Sequence, residues 1–288
     1  MTYCIINNHL VPTENALISV EDRGFRYGDG VFETIAVHKG VPYQFDWHMA
    51  RLIGGLGAIK IAFDVSSIKD LCRQLVAKNG VKSGILRIQV TRGIGSRGYL
   101  PDPAHPKADA SFVIETSPMP AISREPVALW QSHYQKISAR ALPVQYKLCQ
   151  GLNSTLARLE AAENHCADAL LINEHEQLCE TSSGNIFWLK NEKLYTPSLD
   201  CGVLAGSTRA ALLRLSPCPV VETDAGIDAL AGAEAVFITN VVWGALAVGA
   251  LFPQNIKWNS AGIAGKFHGL ILADRDTYSD EQSGEWKK

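Results

Sequence analysis

The sequence predicts an α+β fold in two domains, and three observations predict it. Strand-like alternation and helical spacing follow one another without a regular βαβ rhythm. The stretch Ser117-Pro-Met-Pro120 has the composition of a connection between domains. A length of 288 residues with 47% apolar content fills one large or two modest domains, and it is too rich in aliphatics for a disordered chain.

In chain order, Tyr3 to Ile6 and His9 to Val11 alternate like strands around Asn7-Asn8, a pair that tolerates the positive φ of a tight hairpin turn. Val31 to His38 is a further strand, turning at Lys39-Gly40 into Val41 to Tyr43. Asp46 stands where it would N-cap a helix in which Trp47, Ala50, Leu52, Leu56 and Ile59 recur at roughly helical spacing. Ser66 or Ser67 caps a second helix, with Ile68, Leu71, Leu75 and Val76 as its apolar face and Asn79-Gly80 as its stop. Gly84 to Thr91 alternates again and runs into a glycine-rich loop, Arg92 to Gly98. Pro101, Pro103, Pro106 and Pro118 flank the strand-like Ala110 to Glu115. The first domain is therefore expected over 1–117 and the linker over 118–122, with a second domain over 123–275. In that second domain strands are expected near 126–132, 168–173, 184–189, 193–196, 219–223 and 235–239, and helices near 151–165 and 207–215. Residues 276–288 carry little apolar periodicity and are expected to form a flexible tail.

Charge and cysteine usage exclude several classes of function. Lys and Arg total 27 against 29 Asp and Glu, a formal charge of −2, and no basic cluster of the kind that follows a phosphate backbone occurs, so nucleic acid is not an expected partner. No run is long and apolar enough for a membrane span. The opening MTYCIINNHLVPTEN lacks the basic and apolar regions of a signal peptide, so the expected address is cytoplasmic. The seven cysteines are scattered without a CxxC pair, and the histidines form no HExxH or similar set; no structural metal is expected.

Four segments carry chemistry. Gly93-Ile-Gly-Ser-Arg-Gly98 matches GxGxxG, follows a strand and has Glu115 about 20 residues on, the pattern of a dinucleotide fingerprint. Such a turn must open directly into a helix, whereas Tyr99-Leu-Pro-Asp-Pro-Ala-His-Pro106 comes next; an NAD(P)-dependent oxidoreductase is thus an out-of-class alternative and an ordinary loop the plainer one. Val203-Leu-Ala-Gly-Ser-Thr-Arg209 puts Gly206, Ser207 and Thr208 at a helix start, where free N–H groups and the helix dipole suit one phosphate, although Ser207 as a simple N-cap fits as well. Lys147 sits among apolar and uncharged residues in Ala141-Leu-Pro-Val-Gln-Tyr-Lys-Leu-Cys149, as a Schiff-base nucleophile requires, and equally as a lysine that lays its stem on apolar surface. Glu180 lies at the junction of two strands in a turn of small residues; it fits a surface turn charge or the partner of a cofactor ring nitrogen.

These pieces occur together, and in this order, in the class IV (fold type IV) pyridoxal-phosphate enzymes, which the chain resembles over about residues 3 to 250. The carriers are Asp22–Thr34 (DRGFRYGDGVFET), His48–Leu52 (HMARL), Tyr146-Lys147, Leu156–Ala161 (LARLEA), Glu180 with Gly184–Phe187 (GNIF), and Leu204–Arg209 (LAGSTR). The resemblance implies a D-amino acid aminotransferase-like fold, with a smaller N-terminal domain and a larger β-rich pseudo-barrel domain that binds pyridoxal 5'-phosphate. It implies Lys147 as the Schiff-base lysine and Glu180 as the partner of the pyridine nitrogen. Arg51 would bind the phosphate, together with Gly206, Ser207 and Thr208. Position 241, often a hydroxyl residue in the transaminases, is Val241 here, so the phosphate should lean on backbone amides. Thr91–Tyr99 (TRGIGSRGY) is similar to the SRGxGGRGY segment of the aminodeoxychorismate lyases, which implies Arg97 and Tyr99 as substrate-carboxylate ligands. The count from Lys147 to Leu156 also fits the lyases. Gln150, where lyases usually have Asn, and Glu33, where some have Thr, are departures. The implied reaction is lysis of 4-amino-4-deoxychorismate, with a D-amino acid or branched-chain aminotransferase as the alternative, in a homodimer acting on a small-molecule amine.

Overall fold

The computed structural model describes residues 2–101 and 109–286. The chain divides into two compact units. The first comprises Met1–Pro120, Tyr146–Gln150 and Arg275–Lys288, and the second Ala121–Gln145 and Gly151–Asp274. The segment carrying Lys147 thus belongs to the first unit, although its position in the sequence had put it in the second domain.

In the first unit the hairpin β1 (Tyr3–Ile6) and β2 (His9–Pro12) turns at Asn7 and Asn8 with φ of 47° and 71°, the left-handed values the Asn pair was expected to supply. A short helix α1 (Arg23–Tyr27) is N-capped by Asp22, whose carboxylate accepts from the Gly24 N–H. Then come β3 (Gly30–His38), β4 (Val41–Pro42), α2 (Phe45–Ala58), α3 (Ile68–Lys78), β5 (Ser83–Thr91) and β6 (Ser111–Pro118). The six strands form one antiparallel sheet in the order β2-β1-β6-β5-β3-β4. Its core joins the inward residues of β3 and β5 to Leu52 and Leu56 of α2 and to Ile68, Cys72 and Leu75 of α3. Asp46 does not cap α2 as expected; Gln44 holds that position with φ of 54°, and Asp46 sits in the first turn, where a carboxylate favours the helix dipole. No helix opens after Arg92–Gly98, so the geometry a dinucleotide turn requires is missing over 92–101; Pro103, Pro106 and the rest of 102–108 lie outside the described residues.

The second unit holds β7 (Val127–Gln131), α4 (Leu152–Glu163), β8 (Asp168–Ile172), β9 (Leu178–Thr181), β10 (Asn185–Lys190), β11 (Lys193–Pro197), α5 (Ser207–Leu215), β12 (Val220–Thr223), β13 (Ala235–Asn240), β14 (Gly244–Phe252) and β15 (Ile256–Lys257). Its sheet follows the path β12-β11-β10-β13-β14-β7-β8-β9, and β9 pairs back onto β10, so six strands close into a barrel. The closure is a single registered pair, Glu180 opposite Asn185. A last helix, α6 (Ala261–Trp286), contributes to both units. Its first turns pack Ala264, Phe267 and Ile271 against Phe187 and Phe237 in the second unit. The expectation of a flexible tail fails for residues 276–286, which are helical: Trp286 is buried in the first core with its ring centroid 5.0 Å from that of Phe45, and Asp276 and Asp280 pair with Lys39.

Candidate active site

In the first unit the chemistry gathers on the outer end of β3. Residues 147–149 add a short antiparallel bridge to that strand: the Phe32 N–H donates to the Lys147 carbonyl at 2.8 Å, the Cys149 N–H donates to the Gly30 carbonyl at 2.9 Å, and Val31 faces Leu148. Tyr146 is seated by two glycines of α2; a Cβ on Gly54 would stand 2.6 Å from the Tyr146 ring and one on Gly55 would stand 3.2 Å from the Tyr146 Cβ. The backbone of Lys147 is thereby fixed on both sides. Its Nζ lies 4.4 Å from the centroid of the Phe32 ring, and the same ring carries the Arg87 guanidinium at 4.0 Å. Arg87 comes from β5, opposite Thr34 of β3.

One residue along β3, on the opposite face, Glu33 is buried against α2. His48 and Arg51 are three apart, hence on one helical face, and both reach it. Glu33 Oε1 accepts from Arg51 Nε at 2.7 Å, and Oε2 accepts from Arg51 Nη2 and from His48 Nδ1, both at 2.6 Å. Burial alone would raise the Glu33 pKa, but the hydrogen bonds from Arg51 and His48 outweigh it and bring it to about 2. Burial lowers the His48 pKa, so the ring is neutral, with Nδ1–H donating to the carboxylate and Nε2 left as an acceptor. Nε2 has no hydrogen-bond partner among the described residues. Arg51 also stacks over Trp47 at 4.8 Å. The arginine expected to serve a phosphate thus has two of its nitrogens engaged by Glu33.

The second unit carries Glu180 at the seam of the barrel. Its Oε1 accepts from Lys136 Nζ at 2.5 Å; its Oε2 accepts from Asn185 Nδ2 and from the Leu204 N–H, both at 3.0 Å. The tight turn between β9 and β10 is held by the buried Asp168, which accepts from the hydroxyls of Ser182 and Ser183 and pairs with Arg158. Gly206 is the N-cap of α5, no side chain caps the helix, and Ser207 and Thr208 are buried in its first turn. Val241 is half-buried in a turn where Asn240 Oδ1 accepts from the N–H groups of Val242 and Trp243.

Arg97 and Tyr99 lie in the loop that follows β5. Buried Arg23 organises their loop by donating to the carbonyls of Ser96, Gly98 and Tyr99, while the Tyr99 ring is 89% exposed and faces Tyr27. Sequence reasoning missed Lys136 and Arg87, met His48 and Asn185 only inside motifs without a role, and met Glu33 only as a departure from a motif. The usable signal for His48 was its spacing to Arg51; Lys136 lies 44 positions from Glu180 and gave none.

Residues 30–251 match the family described as Amino-transferase class IV. Aminodeoxychorismate lyase of Bacillus subtilis (strain 168) is 28% identical over 246 residues, covering 82% of each chain. D-alanine aminotransferase of Listeria monocytogenes serotype 4b (strain F2365) is 30% identical over 249 residues, covering 82% of this chain and 83% of the relative. Among solved structures, 4-amino-4-deoxychorismate lyase from Pseudomonas aeruginosa superposes with a TM-score of 0.81 at 29% identity, covering 95% of this chain and 99% of that one. The T.th. branched-chain amino acid aminotransferase, solved with pyridoxamine 5'-phosphate, gives a TM-score of 0.88 at 23% identity, with 97% of each chain covered, a likeness of fold. With the barrel and both clusters of buried charge in view, the chain belongs to the class IV aminotransferases, fold type IV enzymes that use pyridoxal phosphate.

Proposed function

We propose that the protein is a 4-amino-4-deoxychorismate lyase that releases 4-aminobenzoate and pyruvate, with Lys147 as its catalytic amine. The observation that carries the reading is Lys147 itself, pinned to β3 through its backbone and sharing the Phe32 ring with Arg87. An amine and a guanidinium gathered on one aromatic ring suit a substrate that carries carboxylates. The resemblance of Thr91–Tyr99 to the lyase segment favours the lyase among the family's reactions.

Two observations support the fit of pyridoxal phosphate: a buried carboxylate acceptor at Glu180 and an α5 N-terminus that no side chain caps. Bound there, the ring supplies an electron sink for the carbon that carries the substrate nitrogen. Glu180, oriented by Lys136, Asn185 and the Leu204 N–H, would be the acceptor for the ring nitrogen. Gly206, Ser207 and Thr208 would hold the phosphate with backbone and hydroxyl donors, helped by Arg51 and by the turn at Val241, whose side chain has no donor to give. Lys147 Nζ would take the proton from the substrate carbon that carries the nitrogen and return it to the departing enolpyruvate as the neighbouring C–O bond breaks, its electron pair leaving with the oxygen, so that pyruvate forms and the substrate's own ring becomes aromatic. Arg97 and Tyr99 hold a substrate carboxylate from their exposed loop. The reading includes a homodimer, for Val20, Phe25, Ile94 and Leu100 are exposed around that loop and a second copy would cover them. It carries the cytoplasmic address typical of the family.

The match to the Listeria enzyme and Glu33 at a position that is Thr in some lyases favour a second reading, an aminotransferase for D-amino acids or branched-chain amino acids. The test supplies aminodeoxychorismate, and separately D-alanine or L-leucine with 2-oxoglutarate. The lyase yields 4-aminobenzoate and pyruvate; glutamate without 4-aminobenzoate rejects it.

A further inference from the structure

Glu180 and Asn185 face each other where β9 meets β10, so their side chains share one face of the seam. Asn185 Nδ2 donates to Glu180 Oε2 at 3.0 Å and to the Leu204 carbonyl at 2.9 Å, while the Leu204 N–H donates to the same carboxylate oxygen. The amide cannot be turned over, because Nδ2 faces two acceptors. Asn185 Oδ1 therefore points at Gly206, where a Cβ would stand only 2.1 Å from it; the next side chain, Arg209 Cβ, is at an ordinary 3.5 Å. Gly206 has φ of −73°, open to any residue, so its backbone does not call for glycine.

We propose that Asn185 is a positioning residue that locks Glu180 to the start of α5 as one rigid unit, and that position 206 is glycine because Asn185 fills the space of its side chain. The inference rests on the reading above, in which Glu180 meets the ring nitrogen and the start of α5 meets the phosphate. Both ends of the cofactor would then be set by one amide. A side chain at 206 pushes Asn185 aside, and Glu180 loses the donor that aims it.

The experiment titrates the apo-protein with pyridoxal phosphate, following tryptophan fluorescence, for wild type, G206A, N185A and the G206A/N185A double variant. Loss of one buried hydrogen-bond donor corresponds to about tenfold weaker binding. N185A and G206A should each show about that loss, and the double variant should bind like N185A alone, since the atom that Ala would strike is gone. Multiplying losses, about a hundredfold in the double variant, overturn the proposal. If G206A fails to fold by circular dichroism, adding N185A should restore folding; a double variant that is also unfolded overturns it too. Pyridoxal and inorganic phosphate, used as separate probes of the two ends, should both bind more weakly to N185A, and a change at one end only refutes the link. E180Q run beside them separates the two levels. Unchanged pyridoxal affinity in E180Q removes Glu180 from the ring nitrogen and the underlying reading with it, whereas a loss in E180Q with multiplying losses at 185 and 206 removes the lock alone.

Discussion

Replacing Glu33 with glutamine removes the one charge that Arg51 and His48 share, and the structure gives the size of the loss. The carboxyl is 1% exposed and held at about 2, against an ordinary 4.5. That depression is worth about 3 kcal/mol of folding free energy at neutral pH. It agrees with the roughly 3–5 kcal/mol typical of stranding one partner of a buried ion pair. Because the folded-state pKa is depressed, the contribution is complete above about pH 4.5 and is lost as the pH falls toward about 2. His48 acts in the same direction from a higher pH: burial keeps it neutral in the fold, so the unfolded chain binds its proton first and stability begins to fall below about 6.5. Hydrogen exchange of the β3 and α2 amides, read by mass spectrometry and corrected for intrinsic rates, isolates this region from the rest of the chain. At pH 7, E33Q should exchange about a hundredfold faster there, and the gap to wild type should close as the pH drops through the carboxylate range. Equal protection at pH 7, or a gap that persists unchanged near pH 2.5, would refute the assignment of Glu33 as the charge that holds α2 to β3.

K147A should abolish turnover and remove the borohydride-fixed label from the peptide containing residue 147; full activity in that variant would end the catalytic role of Lys147. G54A puts a methyl 2.6 Å from the Tyr146 ring, so about 1–3 kcal/mol of stability should go together with kcat as the Lys147 segment is pushed off β3, both measurable on one preparation. R87M should raise KM for the dicarboxylate substrate about tenfold or more with a smaller effect on kcat, and an unchanged KM would release Arg87 from substrate binding. W286A empties a buried aromatic site against Phe45 and should cost about 3 kcal/mol, seen as a lower thermal midpoint; no shift would return residues 276–286 to the status of a tail.

The elements that could be read from the sequence are those whose cause is local. Asn7-Asn8 and Lys39-Gly40 turn where they do because these residues accept left-handed backbone, and the structure has φ of 47°, 71°, 52° and 81° there. The α2 start was missed because Gln44, not a usual left-handed residue, takes φ of 54° where Asp46 looked like the cap. β14, Gly-Ala-Leu-Ala-Val-Gly-Ala-Leu-Phe, is a barrel strand buried on both faces over most of its length and so lacks the alternation that marks a half-exposed strand. The last turns of α6 show no apolar period because Tyr278 and Trp286 supply the packing, while Asp276 and Asp280 answer His38 and Lys39 far away in the chain. In the candidate site, Lys147 was visible as a charge in uncharged surroundings and Glu180 as a carboxylate in a turn of small residues, whereas Lys136, Asn185 and Arg87 acquire meaning only once the fold brings them to their partners.

The buried pair also changes what Arg51 can contribute. A guanidinium on a free side chain gives up much of its rotamer freedom when it grips an anion, but here Nε and Nη2 are already fixed on Glu33 and the plane is stacked on Trp47. The arginine is thus oriented in advance, and its charge is offset in advance as well. Glu33 and Arg51 together bring no net charge to a phosphate, and His48 is neutral. Under the proposed function the charge of a phosphate would be met by donors without a counter-anion, and the first turn of α5 is such a set: N–H groups without helical partners, with the dipole behind them. On the same reading the helix would supply the charge compensation, and a valine at position 241 would cost little, since the uncapped first turn of α5 does not depend on one further hydroxyl to hold an anion.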